Sequence, residues 1–196
     1  MDWLNEPPTW EHHGDTLVVT AGPGTDFWRR THYGFIRDNG HLYGHRVTGD
    51  FSAEVLVRGA YAAQYDQAGL MVRVDETTWL KCGIELVDGR QQASAVVTRE
   101  FSDWSVVPLA GSPAALTLRV QRTGDALEVR YAVDGGPEEL LRLAHLPMGE
   151  SVLVGPMCAA PDGPGFVARF EGFVVRGLSG TSASFHASST GAMGTR

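Results

Sequence analysis

The sequence WLKCGIELVDGRQQASAVVT, residues 79–98, decides the fold of this chain. Its apolar residues alternate with others on both sides of Asp88-Gly89, a pair that favours a two-residue hairpin turn. A hairpin closed at that pair gives apolar partners on one face and a mixture of polar, small and larger apolar partners on the other. The predicted register has Cys82 opposite Ala95 on the core face, and Gly83 opposite Ser94 on the other face.

The same period of two recurs along most of the chain. About ten short segments with this alternation are separated by Gly, Asp and Pro turn signals, and no stretch keeps a helical period. The pattern predicts an all-β sandwich with two packed antiparallel sheets and no long helix. We expect the strands at residues 51–58, 67–74, 79–87 and 91–99 to be adjacent in one sheet.

Length and composition indicate one domain followed by a tail. The chain has 196 residues, of which 43% are hydrophobic, so it can bury a core without a disulfide or metal staple. We expect a single domain over residues 1–178 with Cys82 and Cys158 as reduced core thiols. Residues 179–196 are rich in Ser, Thr, Gly and Ala, and this composition predicts a disordered tail.

Charge and motif content exclude several classes of function. A net charge of −7 argues against nucleic acid or an anionic membrane as partner. The start of the chain lacks the features of a secretory signal, and no run of 18 apolar residues occurs, so a cytoplasmic location is expected. The sequence pattern predicts no strand or helix at His12-His13, or at the pair His41 and His45, that would aim them at a metal. We therefore expect no metal and no cofactor, and the oligomeric state stays open.

Strand parity gives one face of the hairpin an unusual composition. Trp79, Lys81 and Glu85 alternate with core residues and therefore share the outer face, where the best register of the preceding strand adds Gln67 beside Glu85. Lys81 is the only lysine among 16 basic residues. An aromatic ring with carboxylate, amide and ammonium groups suits a sugar, although an ordinary solvated face with one exposed tryptophan would show the same pattern.

Three nearby segments offer further candidates for the rim of this site. Residues 25–28 and 102–105 each hold an aspartate within two residues of a tryptophan, and Tyr65-Asp66-Gln67 leads directly into the strip. We therefore assign Trp28, Asp66 and Trp104 to the predicted ligand-binding set. The alternative is that the acids cap turns and the tryptophans cover the ends of the core.

Five motifs together resemble a family of unknown function that includes the fungal "regulation of enolase" protein. They are Asn5-Glu6-Pro7, Thr25-Asp26-Phe27-Trp28, the run from Tyr65 to Met71, the run from Trp79 to Glu85, and Ser102-Asp103-Trp104-Ser105. The resemblance spans residues 3–175 and implies a jelly-roll β-sandwich of the concanavalin A-like lectin/glucanase superfamily. Retaining glucanases of that superfamily carry Glu-x-Asp-x-x-Glu on one strand. Here the nearest match, Glu85-Leu-Val-Asp88, has a different spacing and ends in a turn, so the usual hydrolytic pair is absent.

Three hypotheses for function follow. The first is a cytoplasmic binding module for a carbohydrate or sugar-like metabolite on the concave face of the sandwich. The second is a carbohydrate-active enzyme that uses Glu85 as general base with Lys81 as electrostatic partner, or Asp66 with Lys81; the catalytic residues stay unknown. The third is a regulatory protein-interaction domain, which a flat exposed apolar strip would favour.

Overall fold

The computed structural model describes residues 1–178 and 182–184, which form 17 β-strands and no helix. One sheet has seven strands, and its order across the sheet is β1-β6-β15-β8-β9-β10-β11. Their bounds are β1 Asp2–Leu4, β6 His41–Thr48, β15 Ser151–Ala159, β8 Gln67–Arg73, β9 Thr78–Val87, β10 Arg90–Arg99 and β11 Phe101–Pro108. We call this the site sheet.

The second sheet has eight strands, and we call it the back sheet. Seven of them follow the order β14-β13-β12-β7-β16-β3-β2, and the short β17 also pairs with β16. Their bounds are β14 Glu139–His145, β13 Ala126–Val133, β12 Leu116–Thr123, β7 Phe51–Gly59, β16 Val167–Gly177, β3 Thr16–Thr20, β2 Thr9–His13 and β17 Ser182–Ser184. Two further strands, β4 Phe27–Arg29 and β5 Ile36–Asp38, pair as a separate hairpin.

The two large sheets pack face to face on one apolar core. Alternate residues of β9, such as Leu80 and Ile84, are buried against residues of the back sheet such as Val55 and Leu118. Burial of these apolar surfaces is the main force that holds the sheets together. The predicted all-β sandwich with two antiparallel sheets is thereby confirmed.

The register predicted from the central hairpin is also confirmed. Cys82 lies opposite Ala95 and Gly83 opposite Ser94. Asp88 and Gly89 have φ angles of 50° and 72°, as the two central residues of a type I′ turn require. The neighbouring pair is in the expected register as well, because Gln67 lies opposite Glu85.

One expectation needs correction. Strand β7, predicted beside residues 67–74, belongs to the back sheet between β12 and β16, because residues 60–66 carry the chain from one sheet to the other. Within residues 179–196, predicted as a disordered tail, the structure describes only β17, which pairs with Val174–Arg176 of β16. The remainder of that predicted tail, residues 179–181 and 185–196, lies outside the described residues. Over the described ranges no helix is long and apolar enough to cross a membrane.

Candidate functional site

The hairpin of β4 and β5 covers part of the outer face of the site sheet. Beneath it lies a second, smaller apolar cluster that includes Phe27, Met71 and Trp79. Trp79 is fully buried there, with its ring centroid 6.2 Å from that of Phe27. The outer face is therefore a second core at this end of β9, and the strip predicted from parity is not a flat exposed surface.

Polar side chains hold this hairpin in place from several sides. Arg73 on β8 donates two hydrogen bonds of 2.7 Å to the Asp38 carboxylate, the paired geometry that guanidinium and carboxylate favour. The Asn5 side-chain amide donates to the backbone carbonyl oxygens of Asp38 and Gly40. Arg29 contacts both the backbone carbonyl and the carboxylate of Glu100. These bonds fix the hairpin at a defined distance above the sheet.

A cavity of about 200 Å³ remains beside the covered cluster, between the hairpin and the sheet. Its floor comes from the outer faces of β8, β9 and β10, and its walls come from the hairpin, the loop before β8 and the turn after β15. The lining residues are Asp26, Trp28, Tyr33, Phe35, Arg37, Tyr65, Gln67, Lys81, Glu85, Val96, Trp104, Pro161 and Asp162.

A buried ion pair lies at the floor of the cavity. The Lys81 ammonium donates a hydrogen bond of 3.0 Å to Oδ1 of Asp26, and the two side chains are 4% and 10% exposed. The same oxygen accepts from the backbone N–H of Phe27 and from the Gln67 amide. An ammonium has three N–H groups and a carboxylate has two oxygens. Within the described residues, two N–H groups of Lys81 and Oδ2 of Asp26 are therefore left to bind something else.

Glu85 supplies a second buried carboxyl group. Its Oε2 accepts hydrogen bonds from the Ser94 hydroxyl at 2.6 Å and from the Trp104 indole N–H at 2.9 Å. Burial raises the pKa of Glu85, and the nearby Lys81 charge and these hydrogen bonds oppose that shift only in part. Both bonds go to Oε2, which leaves Oε1 as the polar atom of Glu85 that a bound molecule can reach.

Aromatic rings form the walls of the cavity. Tyr33 and Tyr65 meet across it with their hydroxyl oxygens 3.2 Å apart, and Trp104 packs edge-on against Tyr65. The hydrogen bond to Tyr65, with burial and the charges of Glu85 and Asp162, raises the pKa of Tyr33 to about 12. The Tyr33 hydroxyl is therefore an uncharged hydrogen-bonding group of the cavity wall at neutral pH.

The structure brings together five of the seven residues predicted for the site. The five that line the cavity are Trp28, Gln67, Lys81, Glu85 and Trp104. Trp28 and Trp104 do so from strands β4 and β11 rather than from loops.

The other two predicted residues do not line the cavity. Trp79 lies on the predicted face but under the hairpin, where no bound molecule in the cavity can stack on it. Asp66 is fully buried, and its Oδ2 accepts the backbone N–H groups of Ala62 and Ala63 at 2.9 Å each. It therefore shapes the loop before β8 instead of forming part of the rim.

The paired glycines of β8 and β9 serve the backbone and not a bound molecule. A Cβ atom added to Gly69 would lie 1.8 Å from the carbonyl oxygen of Cys82, and one added to Gly83 would lie 2.1 Å from that of Ala68. Real Cβ atoms do not approach so closely. The two strands thus come together at a place that only glycine permits.

Several lining residues were not assigned to the site from the sequence. Asp26 belongs to the motif that contains Trp28, so its signal was available. Tyr33, Phe35 and Arg37 gave no local signal, because only the folding of the hairpin over the sheet turns them toward Glu85. Among the described residues no group of three or more His, Cys, Asp and Glu side chains is arranged to hold a metal ion.

Comparisons with known proteins cover nearly the whole domain. The family model described as "Protein of unknown function (DUF1349)" matches residues 3–177. "Regulation of enolase protein 1" from Saccharomyces cerevisiae is 40% identical over 169 residues, which are 86% of this chain and 85% of that protein.

Two solved structures resemble the fold at different levels of sequence similarity. The crystal structure of a functionally unknown protein from Saccharomyces cerevisiae has a TM-score of 0.86 and 38% identity, and the match covers 90% of this chain and 95% of that one. The carbohydrate binding module CBM66 from Bacillus subtilis has a TM-score of 0.57 at 13% identity, over 89% of this chain and 94% of the module. The second likeness is one of fold alone.

Proposed function

The chain belongs to the family described as "Protein of unknown function (DUF1349)", and we propose that it binds one neutral sugar unit in the cavity beneath the β4–β5 hairpin. The family resemblance and the concanavalin A-like sandwich inferred from the motifs are confirmed, whereas the ligand is our proposal. The observation that carries it is the buried set of Asp26, Lys81 and Glu85, whose unused donors and acceptors adjoin a small cavity with aromatic walls.

The chemistry of the lining supports a polyhydroxylated ligand. A sugar hydroxyl both donates and accepts hydrogen bonds, so it can bridge an N–H group of Lys81 and an oxygen of Asp26 or Glu85. The rings of Trp28 and Trp104 offer apolar surface to the C–H faces of a pyranose. A cavity of about 200 Å³ has room for roughly six or seven water molecules, which is close to the size of a single sugar ring.

The charges around the cavity support a neutral ligand over a sugar phosphate. Lys81 is already paired with Asp26, and the Arg37 guanidinium lies 4.6 Å from the centroid of the Phe35 ring. Against these two cations stand three acidic residues, Asp26, Glu85 and Asp162. A phosphate would bring two more negative charges near buried carboxyl groups, which the low dielectric of the site makes unfavourable.

Two further observations are consistent with this proposal. A carbohydrate binding module is among the proteins with a similar fold, although a fold by itself does not establish function. The two cysteines of the chain are buried and unpaired, which supports the cytoplasmic location that we propose for the protein.

A calorimetric titration with matched variants tests the proposal. We would titrate wild type with a panel of neutral monosaccharides and the corresponding sugar phosphates, and then compare Glu85→Gln with Glu150→Gln, an exposed glutamate outside the cavity. Glu85→Gln should weaken the best neutral sugar about tenfold or more, because it replaces the buried carboxyl group whose Oε1 adjoins the cavity by an amide. Glu150→Gln should leave the affinity unchanged. Equal affinities of both variants, or a preference for phosphates, would contradict the proposal.

A second candidate, a carbohydrate-active enzyme, is favoured by one specific observation. Burial holds Glu85 toward its protonated form, as a general acid requires, and the carboxyl group of Asp26 lines the same cavity as a second acid. Incubation with a panel of aryl glycosides tests it. Turnover by wild type that is lost in Glu85→Gln would support the enzyme hypothesis. A glycoside that binds without being hydrolysed would support the binding-module hypothesis instead.

A further inference from the structure

An open groove adjoins the cavity on the side of the hairpin tip. The cavity and the groove share three aromatic side chains, those of Trp28, Tyr33 and Trp104. The groove measures about 520 Å³, and its other lining residues are Thr31, His32, Ser102 and Asp103. A molecule that fills the cavity can therefore continue past the same three rings into the groove.

We propose that this groove is a second subsite, which binds the next sugar unit of a disaccharide or oligosaccharide whose end unit occupies the cavity. The inference rests on the function proposed above and extends it to the length of the ligand. The cavity and the groove are continuous, because the rings that form the wall of the cavity also form the wall of the groove. A sugar chain presents an apolar ring face at each unit, which suits a row of aromatic side chains.

The groove also offers hydrogen-bonding groups of the kind that a sugar needs. Asp103 uses Oδ2 for an ion pair of 3.2 Å with Arg142 at an exposed position, so Oδ1 remains to accept from a hydroxyl. The His32 ring packs edge-on against Tyr33 at a centroid distance of 4.8 Å. The ion pair with Arg142 balances the charge of Asp103 at the groove, which suits a neutral ligand.

The groove wall is formed before any ligand arrives. The tip of the hairpin turns through Arg30, His32 and Gly34, all in the left-handed region with φ between 58° and 76°. The Trp28 indole N–H donates to the Thr31 carbonyl oxygen at 3.0 Å, and the Gly34 N–H donates to that of Arg30 at 2.7 Å. A wall that is already ordered loses little entropy on binding, so contacts in the groove should contribute to affinity.

The test compares monosaccharides with their own disaccharides on cavity and groove variants. The probes are glucose with cellobiose and maltose, and xylose with xylobiose, measured by calorimetry. The groove variant combines His32→Gly, which suits the left-handed backbone, with Asp103→Ala. His13→Ala, at an exposed histidine of β2 outside both sites, is the matched control.

In wild type we expect at least one disaccharide to bind about tenfold more tightly than its monosaccharide. The groove variant should reduce this advantage to about twofold or less and leave the monosaccharide affinity unchanged, whereas His13→Ala should keep it. Equal affinity of both sugars for wild type, or an advantage that survives in the groove variant, overturns the second subsite alone. Absence of binding by every probe overturns the cavity proposal as well.

Discussion

Replacing Lys81 by Met should destabilise the domain strongly, because it leaves two buried carboxyl groups without their cation. The Lys81–Asp26 pair is 3.0 Å long, and its side chains are 4% and 10% exposed. Removing one partner of such a pair costs about 3–5 kcal/mol of unfolding free energy. In a domain of this size that loss lowers the melting temperature by roughly 6–20 °C. Thermal unfolding followed by circular dichroism measures it.

The chain provides a matched control and a rescue for this experiment. The Arg58–Glu171 pair has nearly the same length, 2.9 Å, but its side chains are 40% and 36% exposed. Arg58→Met should therefore cost only about 0–1 kcal/mol, since water already screens that pair. In the Lys81→Met background, Asp26→Asn should restore most of the lost stability, because it removes one of the two unpaired charges.

The same variant should respond to pH in a defined direction. Burial raises the pKa of Glu85 above its ordinary value of 4.5, and Lys81 partly opposes that shift, so loss of Lys81 should raise this pKa further. The part of the destabilisation that comes from Glu85 belongs to its ionised form; it is full above the folded-state pKa of Glu85 and fades as pH falls toward 4.5. The difference in melting temperature between wild type and Lys81→Met should narrow on acidification. A Lys81→Met loss no larger than that of Arg58→Met, or independent of pH, would refute the reasoning.

Three further predictions concern the fold around the site. Trp79→Ala should cost about 3–5 kcal/mol of unfolding free energy in a denaturation assay. Trp10→Ala, at a residue that is 37% exposed, should cost much less in the same assay, and similar losses for both variants would contradict the second core. Gly83→Ala should prevent a native near-ultraviolet spectrum, because its Cβ would lie 2.1 Å from a backbone carbonyl oxygen. Burial raises the pKa of Cys82 to about 12 and raises that of Cys158. Both thiols should therefore react with a thiol reagent only after unfolding, and rapid labelling of the native protein would argue against their burial.

Much of the site sheet could be predicted because its signals are local. A side-chain period of two and one Asp-Gly turn determine which residues of β9 and β10 face each other, and hence that Lys81 and Glu85 share a face. The position of β7 could not be predicted in this way. Its connection to β8 crosses between the sheets, and no pattern in residues 60–66 distinguishes such a crossing from a hairpin.

The cavity itself could be predicted only in part. Parity assigned Trp79 and Lys81 to the same outer face, but a covered outer face and an open one have the same alternation. Whether Trp79 is buried depends on where residues 27–38 pack, and that packing is made by distant partners such as Arg73 and Asn5. Residues such as Tyr33 reach the site for the same non-local reason.

The tryptophan indole signals in a two-dimensional ¹H–¹⁵N spectrum test the central claim most directly. The chain has five tryptophans, and Trp104 donates its indole N–H to Glu85 at the cavity while Trp10 lies elsewhere. Titration with the neutral sugar that binds best should shift the Trp104 and Trp28 signals and leave those of Trp10 and Trp3 in place. Shifts confined to Trp10 and Trp3, or no indole shift at saturating sugar, would contradict the account.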